Sequence, residues 1–385
     1  MSSDPIRLDG PVLLFGGPYS NLEATEALFA EARRRGIPAS HVICTGDLAA
    51  YCADPQAVID RVRAGGIHVV MGNCEEALAS RAADCGCGFA DGTACAVLAG
   101  EWYAYADSHV DAESRAWMAA LPRRIDIEIG GRTLAVIHGG VTKIDRFVFA
   151  SMGTAIGEEL AAAGGDGVIG GHCGVPFTRE VAGRLWHNPG VIGMPADDGT
   201  PRVWFSVLTP TADGIQIEHQ PLEYDHAQAA SKMRARGLPE GYAWGLLSGL
   251  WPSRDVMPPT ERATAGRPLV PGRLKRTEVR APAPRAPVGA RTLVRLRRPP
   301  ASSAPFVANR AGSCRAPRYG QVGPGRILGR SKRTEAPTRG RGVILKETDE
   351  SRPKNGRKPR SENIGATTGY AVSFLEVRAP DRFWR

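Results

Sequence analysis

Residues 41–47, HVICTGD, and residues 66–73, GIHVVMGN, each consist of a short apolar run followed at once by glycine and a polar residue. A short apolar run bounded by a turn signal is typical of a buried strand. A third run of this kind occupies residues 11–15, and helical patterns lie after Ser20 and at residues 55–64. This alternation of strands and helices predicts an α/β fold built on a layered sheet.

Local signals set the expected limits of several elements. Ser20, with Glu23 three residues later, predicts a capping box at the start of the first helix. Residues 84–110 are rich in glycine and cysteine, and we expect them to be irregular. Apolar runs at residues 125–129 and 133–137 flank a Gly-Gly pair, which predicts a β-hairpin.

Charge and proline divide the 385-residue chain into two parts. Residues 1–250 carry 19 Lys and Arg against 30 Asp and Glu, whereas residues 251–385 carry 30 against 10 and contain 17 of the 30 prolines. We therefore predict an acidic globular domain over 1–250 and a basic Pro/Arg-rich, low-complexity tail over 251–385 that is mostly disordered. The tail's charge allows weak, nonspecific contact with nucleic acid. The alternative is a solvated extension with no selected role.

The sequence carries no signal for membranes or for export. No stretch of about 18 apolar residues is present, so no membrane span is expected. The first residues lack the basic and apolar regions of a secretory signal. We therefore predict a cytoplasmic protein whose eight cysteines are reduced. No pattern indicates the oligomeric state.

Four residues of metal-ligand type follow four predicted strand ends, each beside a glycine: Asp47, Asn73, His138 and His172. Polar sites gather at the carboxyl ends of strands in open α/β sheets. One carboxylate, one amide oxygen and two imidazoles suit a divalent ion such as Mn, Fe, Zn or Mg. The sequence therefore predicts a metal site formed by these four side chains.

The motifs around these residues resemble the ordered motif set of calcineurin-like metallophosphoesterases across roughly residues 10–210. The resemblance rests on Gly46-Asp47, Gly72-Asn73-Cys74-Glu75, His138-Gly139 and Gly171-His172-Cys173-Gly174. It implies a metallophosphoesterase-like layered β-sandwich flanked by helices. It also implies a binuclear enzyme that hydrolyses phosphomonoesters or phosphodiesters, with a phosphorylated small molecule as substrate.

The same resemblance shows where this chain departs from the family pattern. Gly17 and Tyr19 stand in place of a metal-binding Asp and His, and Gly174 replaces a second His. The resemblance therefore implies one intact site at Asp47, Asn73, His138 and His172, with one tightly bound ion, and one lost site. Cys74 stands where the family has a His that acts on the leaving group, so Cys74 and Asn73 are the candidate catalytic residues.

Two functions remain open from the sequence. The first is a metal-dependent phosphoesterase that works with a single ion and lacks the two-ion clamp on the attacking and leaving oxygens. The second is a catalytically degenerate member that binds a metal or a phosphorylated ligand and acts as a regulatory module. The intact four-residue set favours the first function, and the three lost ligands favour the second.

Overall fold

The computed structural model describes residues 4–270 and 277–280, which belong to one unit, Met1–Arg295. The described strands are β1 (Ile6–Leu8), β2 (Val12–Phe15), β3 (Val42–Cys44), β4 (His68–Val69), β5 (Ile125–Ile129), β6 (Arg132–Val136), β7 (Gly167–Ile169), β8 (Phe177–Val181), β9 (Arg184–Asn188), β10 (Val203–Thr211), β11 (Gly214–Leu222) and β12 (Thr277–Arg280).

Helices precede, connect and follow these strands. The described helices are α1 (Leu22–Arg34), α2 (Pro55–Gly65), α3 (Asn73–Ser80), α4 (Ala94–His109), α5 (Ala112–Ala119), α6 (Gly153–Ala163), α7 (His226–Ala235), α8 (Glu240–Ser248) and α9 (Pro259–Arg262). None of the helices within the described ranges is long and apolar enough to cross a membrane.

The strands form two six-stranded mixed sheets. The first has the order β1-β5-β6-β7-β9-β8 and the second has the order β12-β11-β10-β2-β3-β4. Strands β2, β3 and β4 run parallel in the second sheet, and β6, β7 and β9 run parallel in the first. Each sheet thus has a group of parallel strands whose carboxyl ends lie along one edge, where loops can carry a site.

The two sheets pack face to face around an apolar core. Val12 and Leu14 of β2 and Ile43 of β3 lie in one cluster with Leu134 of β6 and Ile169 of β7, and all of them are fully buried. Successive side chains of a strand point to opposite faces, so Leu13 and Phe15 of β2 face the helices. The predicted α/β sandwich with flanking helices is confirmed.

The helices cover the outer faces of both sheets. Val58, Ile59 and Val62 of α2 recur at helical spacing and are buried in the cluster that covers the second sheet. Ile156 and Leu160 of α6 pack with the outer face of the first sheet. The apolar residues at helical spacing on α2 and α6 therefore face the two sheets.

Three local expectations were wrong. The side chain of Asn21, not Ser20, caps α1 by accepting a hydrogen bond from the Ala24 N–H, and Glu23 pairs with Lys232 instead. Residues 94–109, expected to be irregular, form α4, which Thr93 caps and Trp102 anchors in the core. Cys85 and Cys87 form a disulfide, whereas we expected reduced thiols throughout.

Packed structure continues beyond residue 250. Helix α9 follows at Pro259–Arg262, and β12 pairs with β11 in the second sheet. A domain boundary at residue 250 therefore stays a prediction, which rests on the change in composition at this point of the chain. Most of the predicted basic tail lies outside the described residues.

A buried carboxylate anchors the segment that follows β6. Glu159 of α6 is fully buried and accepts hydrogen bonds from the Val141 N–H at 2.6 Å, the Thr142 hydroxyl at 2.8 Å and the Arg146 guanidinium at 2.6 Å. Since this segment begins at His138, the contacts of Glu159 help to hold one of the predicted ligands in place.

We expect Glu159→Ala to lower the free energy of unfolding by about 2–4 kcal/mol, because three donors lose a buried partner. Urea denaturation of the full chain measures this change. Glu158→Ala is the matched control, since Glu158 is 58% exposed and bonds the same arginine, and we expect it to cost less than about 1 kcal/mol. Equal losses in the two variants would show that Glu159 does not anchor the segment.

Candidate metal centre

The four predicted ligands lie where the parallel strands of the two sheets end. Asp47 follows β3 and Asn73 follows β4, both in the second sheet. His138 follows β6 and His172 follows β7, both in the first sheet. Because the sheets pack face to face, the loops at these strand ends meet and bring the four side chains together.

The donor atoms of these side chains surround one point. Nε2 of His138 lies 3.2 Å from Oδ2 of Asp47, 2.9 Å from Nδ1 of His172 and 3.0 Å from Oδ1 of Asn73. Atoms about 3 Å apart are spaced as ligands around an ion with metal–ligand distances of about 2.1 Å. All four residues are at least 93% buried.

Contacts outside the group orient its donor atoms. Nδ1 of His138 donates to the Thr45 carbonyl at 2.6 Å, which leaves the Nε2 lone pair directed at the centre. Nδ2 of Asn73 donates to the Cys85 carbonyl at 2.9 Å, so its Oδ1 faces His138. This arrangement of an imidazole held by a carbonyl is common among metal ligands.

The electrostatics of the centre favour a cation. Burial disfavours a charge on Asp47, but the neighbouring His138 and His172 outweigh it and lower the pKa of this carboxyl to about 2. Burial and then His138 lower the pKa of His172 to about 3, so its imidazole is neutral. Two imidazole nitrogens 2.9 Å apart beside a carboxylate need a proton or a cation between them. The donor set therefore fits a divalent ion.

Unusual backbone positions bring Asp47 into the centre. Asp47 itself has φ +62°, a left-handed conformation that non-glycine residues adopt rarely and mainly at special sites. Gly46 has φ +93°, and a Cβ there would lie 2.6 Å from the Gly72 nitrogen, so a larger residue would separate the two loops.

Glu75 stabilises the two loops that contain Asp47 and Gly72. The sequence alone did not predict this role. Its buried carboxylate accepts hydrogen bonds from the N–H groups of Asp47 and Leu48, both at 2.7 Å, and of Gly72 at 2.9 Å. The signal was present in the sequence, because Glu is the residue that a capping box places at this position of a helix such as α3.

The Tyr19 ring lies beside Gly17, and both residues stand where the resemblance implies ligands for a second ion. A side chain at Gly17 would overlap the phenol ring of Tyr19. Burial, and then the charge of Asp47, raise the pKa of the Tyr19 phenol well above its ordinary value, so the hydroxyl stays protonated. Gly174 has φ +72° and offers no side-chain donor. Within the described ranges, these three residues supply no carboxylate or imidazole for a second ion.

Cys74 lies next to the centre but is enclosed. It is 99% buried, its N–H donates to Oδ1 of Asp47 at 3.1 Å, and its sulfur lies 3.6 Å from Nδ2 of Asn73. Burial and then Asp47 raise the pKa of the thiol well above its ordinary value. The thiol therefore holds its proton at neutral pH, and a role as proton donor stays a prediction.

Two groups near the centre carry no signal in the local sequence. The ring of Phe147 lies 4.2 Å from the ring of His172, centroid to centroid. The Cys85 carbonyl that orients Asn73 belongs to the loop closed by the disulfide to Cys87, whose sulfur is also 3.5 Å from Nδ2 of Asn73. Each contact joins residues that are separated along the chain, so only the fold reveals it.

We expect His138→Ala to weaken binding of one Mn²⁺ or Zn²⁺ per chain by at least about 100-fold, since even partners outside the coordination sphere change metal affinity by about 10–100-fold. Calorimetric titration of the chelator-treated full chain measures the affinity and the stoichiometry. His109→Ala is the matched control, because His109 is exposed at the end of α4. Unchanged affinity in His138→Ala would reject the centre.

Comparisons with known proteins agree with this geometry. The chain is 25% identical over 249 residues to an uncharacterized protein of Methanocaldococcus jannaschii, covering 60% of this chain and 95% of that one. A metallophosphoesterase structure from Sphaerobacter thermophilus has a TM-score of 0.51 at 22% identity, covering 63% and 100% of the two chains. A hypothetical protein from Pyrococcus horikoshii OT3 has a TM-score of 0.54 at 16% identity, covering 63% and 99%.

These two structures share the fold. Residues 20–211 match the family model of the calcineurin-like phosphoesterase superfamily domain, and this range contains all four ligand-type residues. The match agrees with the motif order and with the two-sheet architecture. Residues 20–211 of this chain form a calcineurin-like phosphoesterase superfamily domain.

Proposed function

We propose that this protein is a metal-dependent phosphoesterase that hydrolyses phosphomonoesters or phosphodiesters of small molecules with one metal ion. The observation that supports this most strongly is the convergence of Asp47, His138 and His172 on one point, with donor atoms within 4.8 Å of one another. Oδ1 of Asn73 adds a fourth donor to the group. Burial of two imidazoles and a carboxylate costs free energy unless these groups are paired, and a divalent ion would pair them.

Each side chain has a distinct part in this proposal. Asp47 supplies the negative charge that holds the ion, and His138 and His172 supply neutral nitrogen ligands. Asn73 supplies an oxygen ligand through Oδ1, because its Nδ2 already donates to the Cys85 carbonyl. When bound, a divalent ion polarises a phosphoryl oxygen and lowers the pKa of a bound water toward about 7–9. The burial of the four residues excludes bulk water, which strengthens these interactions.

A second candidate function is supported by the altered second position. Tyr19 overlies Gly17 in place of a ligand, and Gly174 contributes none. A protein with this arrangement loses the two-ion clamp on the reacting oxygens. Such a protein could keep the ion and bind a phosphorylated ligand without hydrolysing it. Nucleic-acid contact through the basic tail stays a separate prediction, because the tail lies mostly outside the described residues.

We expect the full chain to hydrolyse 4-nitrophenyl phosphate or bis(4-nitrophenyl) phosphate with Mn²⁺, to lose activity with a chelator and to regain it when Mn²⁺ is restored. His138→Ala and His172→Ala should each reduce the rate by at least about 100-fold, because the loss of a bound ion removes several kcal/mol of charge stabilisation. The rate of nitrophenol release measures both effects. His109→Ala should retain the full rate.

The same preparations separate the two candidate functions. If neither ester is hydrolysed while Mn²⁺ and inorganic phosphate still bind, the protein is a binding module and the enzyme proposal is rejected. If hydrolysis persists at the same rate in His138→Ala, the activity does not come from this centre.

The assignment of Cys74 as proton donor has its own test. Cys74→Ala should lower kcat for an alkyl phosphoester by about 100-fold, the lower range for general acid catalysis, because an alkoxide leaving group needs a proton. The change for a 4-nitrophenyl ester should be small, because that leaving group is acidic. Steady-state rates with both esters measure the contrast, at unchanged metal content.

Cys52→Ala is the control for this substitution, since it removes another buried thiol whose contact is with the Gly193 carbonyl. Equal effects of Cys74→Ala on the alkyl and the nitrophenyl ester would show that the thiol supports packing and does not donate a proton.

A further inference from the structure

A small pocket lies directly beside the candidate metal centre. Its volume is about 70 Å³, and aromatic side chains form much of its wall, including Tyr19, Tyr51, Phe147, Tyr242 and Trp251. No Lys, Arg, Asp or Glu is among the described residues that line it. A charged or strongly hydrated group entering this pocket would lose its water without gaining a charged partner, which is costly.

The pocket and the centre share a wall. His172, one of the candidate ligands, lines the pocket, and the next two residues, Cys173 and Gly174, continue this side. The ring of Phe147 lies between the two regions, 4.2 Å from the ring of His172. A phosphoryl group held at the centre would therefore have its organic substituent within reach of the pocket.

The Tyr19 hydroxyl is a polar group on a residue that lines this pocket. Tyr19 is 94% buried. The hydroxyl end of its ring covers Gly17. A tyrosine hydroxyl in a pocket can donate a hydrogen bond to a ligand or to water. The Tyr19 hydroxyl is thus available to a phosphoryl or ester oxygen.

The shape and chemistry of the walls favour a single aromatic ring as the occupant. The ring of Tyr51 lies 4.8 Å from Tyr19 and 4.7 Å from Tyr242, centroid to centroid, within the range of favourable aromatic pairs. The pocket volume is about half that of a 150 Å³ apolar cavity that holds benzene. One ring would therefore be partly enclosed, and a larger ring system would extend out of the open side.

We propose that this pocket binds the aromatic ring of an aryl phosphoester, with the Tyr19 hydroxyl donating a hydrogen bond to an oxygen of the phosphoryl group. The substrate class is then a phosphoester whose organic group is a single uncharged aromatic ring. This inference rests on the proposed phosphoesterase function and adds the substrate class to it.

Two phosphonates test the pocket. Each has a P–C bond in place of the ester bond and cannot be hydrolysed there. Calorimetry of the full chain with Mn²⁺ compares phenylphosphonate with methylphosphonate, which carries the same phosphoryl group without the ring. We expect phenylphosphonate to bind about tenfold more tightly, because its ring leaves water for an apolar wall. Val256→Trp, a change at a half-buried wall residue, should fill the pocket and reduce this ratio to about one.

Val97→Trp is the matched control for the blocked pocket. Val97 is 62% exposed and does not line the pocket, so the same substitution there should leave the tenfold ratio unchanged. Tyr19→Phe tests the hydroxyl alone. It should weaken both phosphonates by about fivefold and leave their ratio unchanged, because one hydrogen bond to the shared phosphoryl group is lost.

The possible outcomes distinguish a failure of the aryl-pocket proposal from a failure of the proposed phosphoesterase function. Equal affinity of the wild-type chain for the two phosphonates would overturn the aryl pocket and leave the phosphoesterase proposal standing. A tenfold ratio that persists in Val256→Trp would also overturn the pocket, since the ring would then bind elsewhere. If neither phosphonate binds in the presence of Mn²⁺, the proposed function fails, and the inference that rests on it fails with it.

Discussion

The hydrogen bond from Nδ1 of His138 to the Thr45 carbonyl is the contact on which the candidate site depends. His138 follows β6 of the first sheet, and Thr45 follows β3 of the second, so the bond joins the two halves of the sandwich at the centre. It also directs the other ring nitrogen at Asp47, Asn73 and His172. The packing of the two sheets therefore also fixes the geometry of the centre. A shift of one sheet against the other would separate the ligands.

Much of the fold could be predicted from the sequence, because its signals are local. The apolar runs of β2 and β3 and the stripe of Val58, Ile59 and Val62 on α2 carry their own periodicity. The ligand-type residues were identified because each directly follows a strand. The cap of α1 was misplaced by one residue since Ser20 and Asn21 are both good caps, and α4 was missed because the glycines and cysteines before it resemble a loop.

The parts of the site that could not be predicted depend on contacts between distant residues. No pattern in the sequence indicates that Phe147 packs on His172, that the Cys85 carbonyl turns Asn73, or that Tyr19 covers Gly17. The motif order showed only that three ligands of the family pattern are absent, at Gly17, Tyr19 and Gly174. For Gly17 and Tyr19, the structure adds a physical reason why the two changes occur together. The Tyr19 ring takes the space that a side chain at position 17 would need.

The proposal that Tyr19 and Gly17 replace two metal ligands of the family pattern also bears on the charge that the site can balance. Asp47 and one divalent ion would carry a net charge of about +1, and the described residues that line the adjoining pocket add no Lys or Arg. A buried site of this kind stabilises a substrate with little charge beyond the reacting phosphoryl group, because each uncompensated buried charge is costly. If the proposed one-ion function is correct, a single ion and an apolar pocket would both follow from the Tyr19 ring beside Gly17. A site with fewer positive charges can still hold its substrate if part of the binding energy comes from removing apolar surface from water.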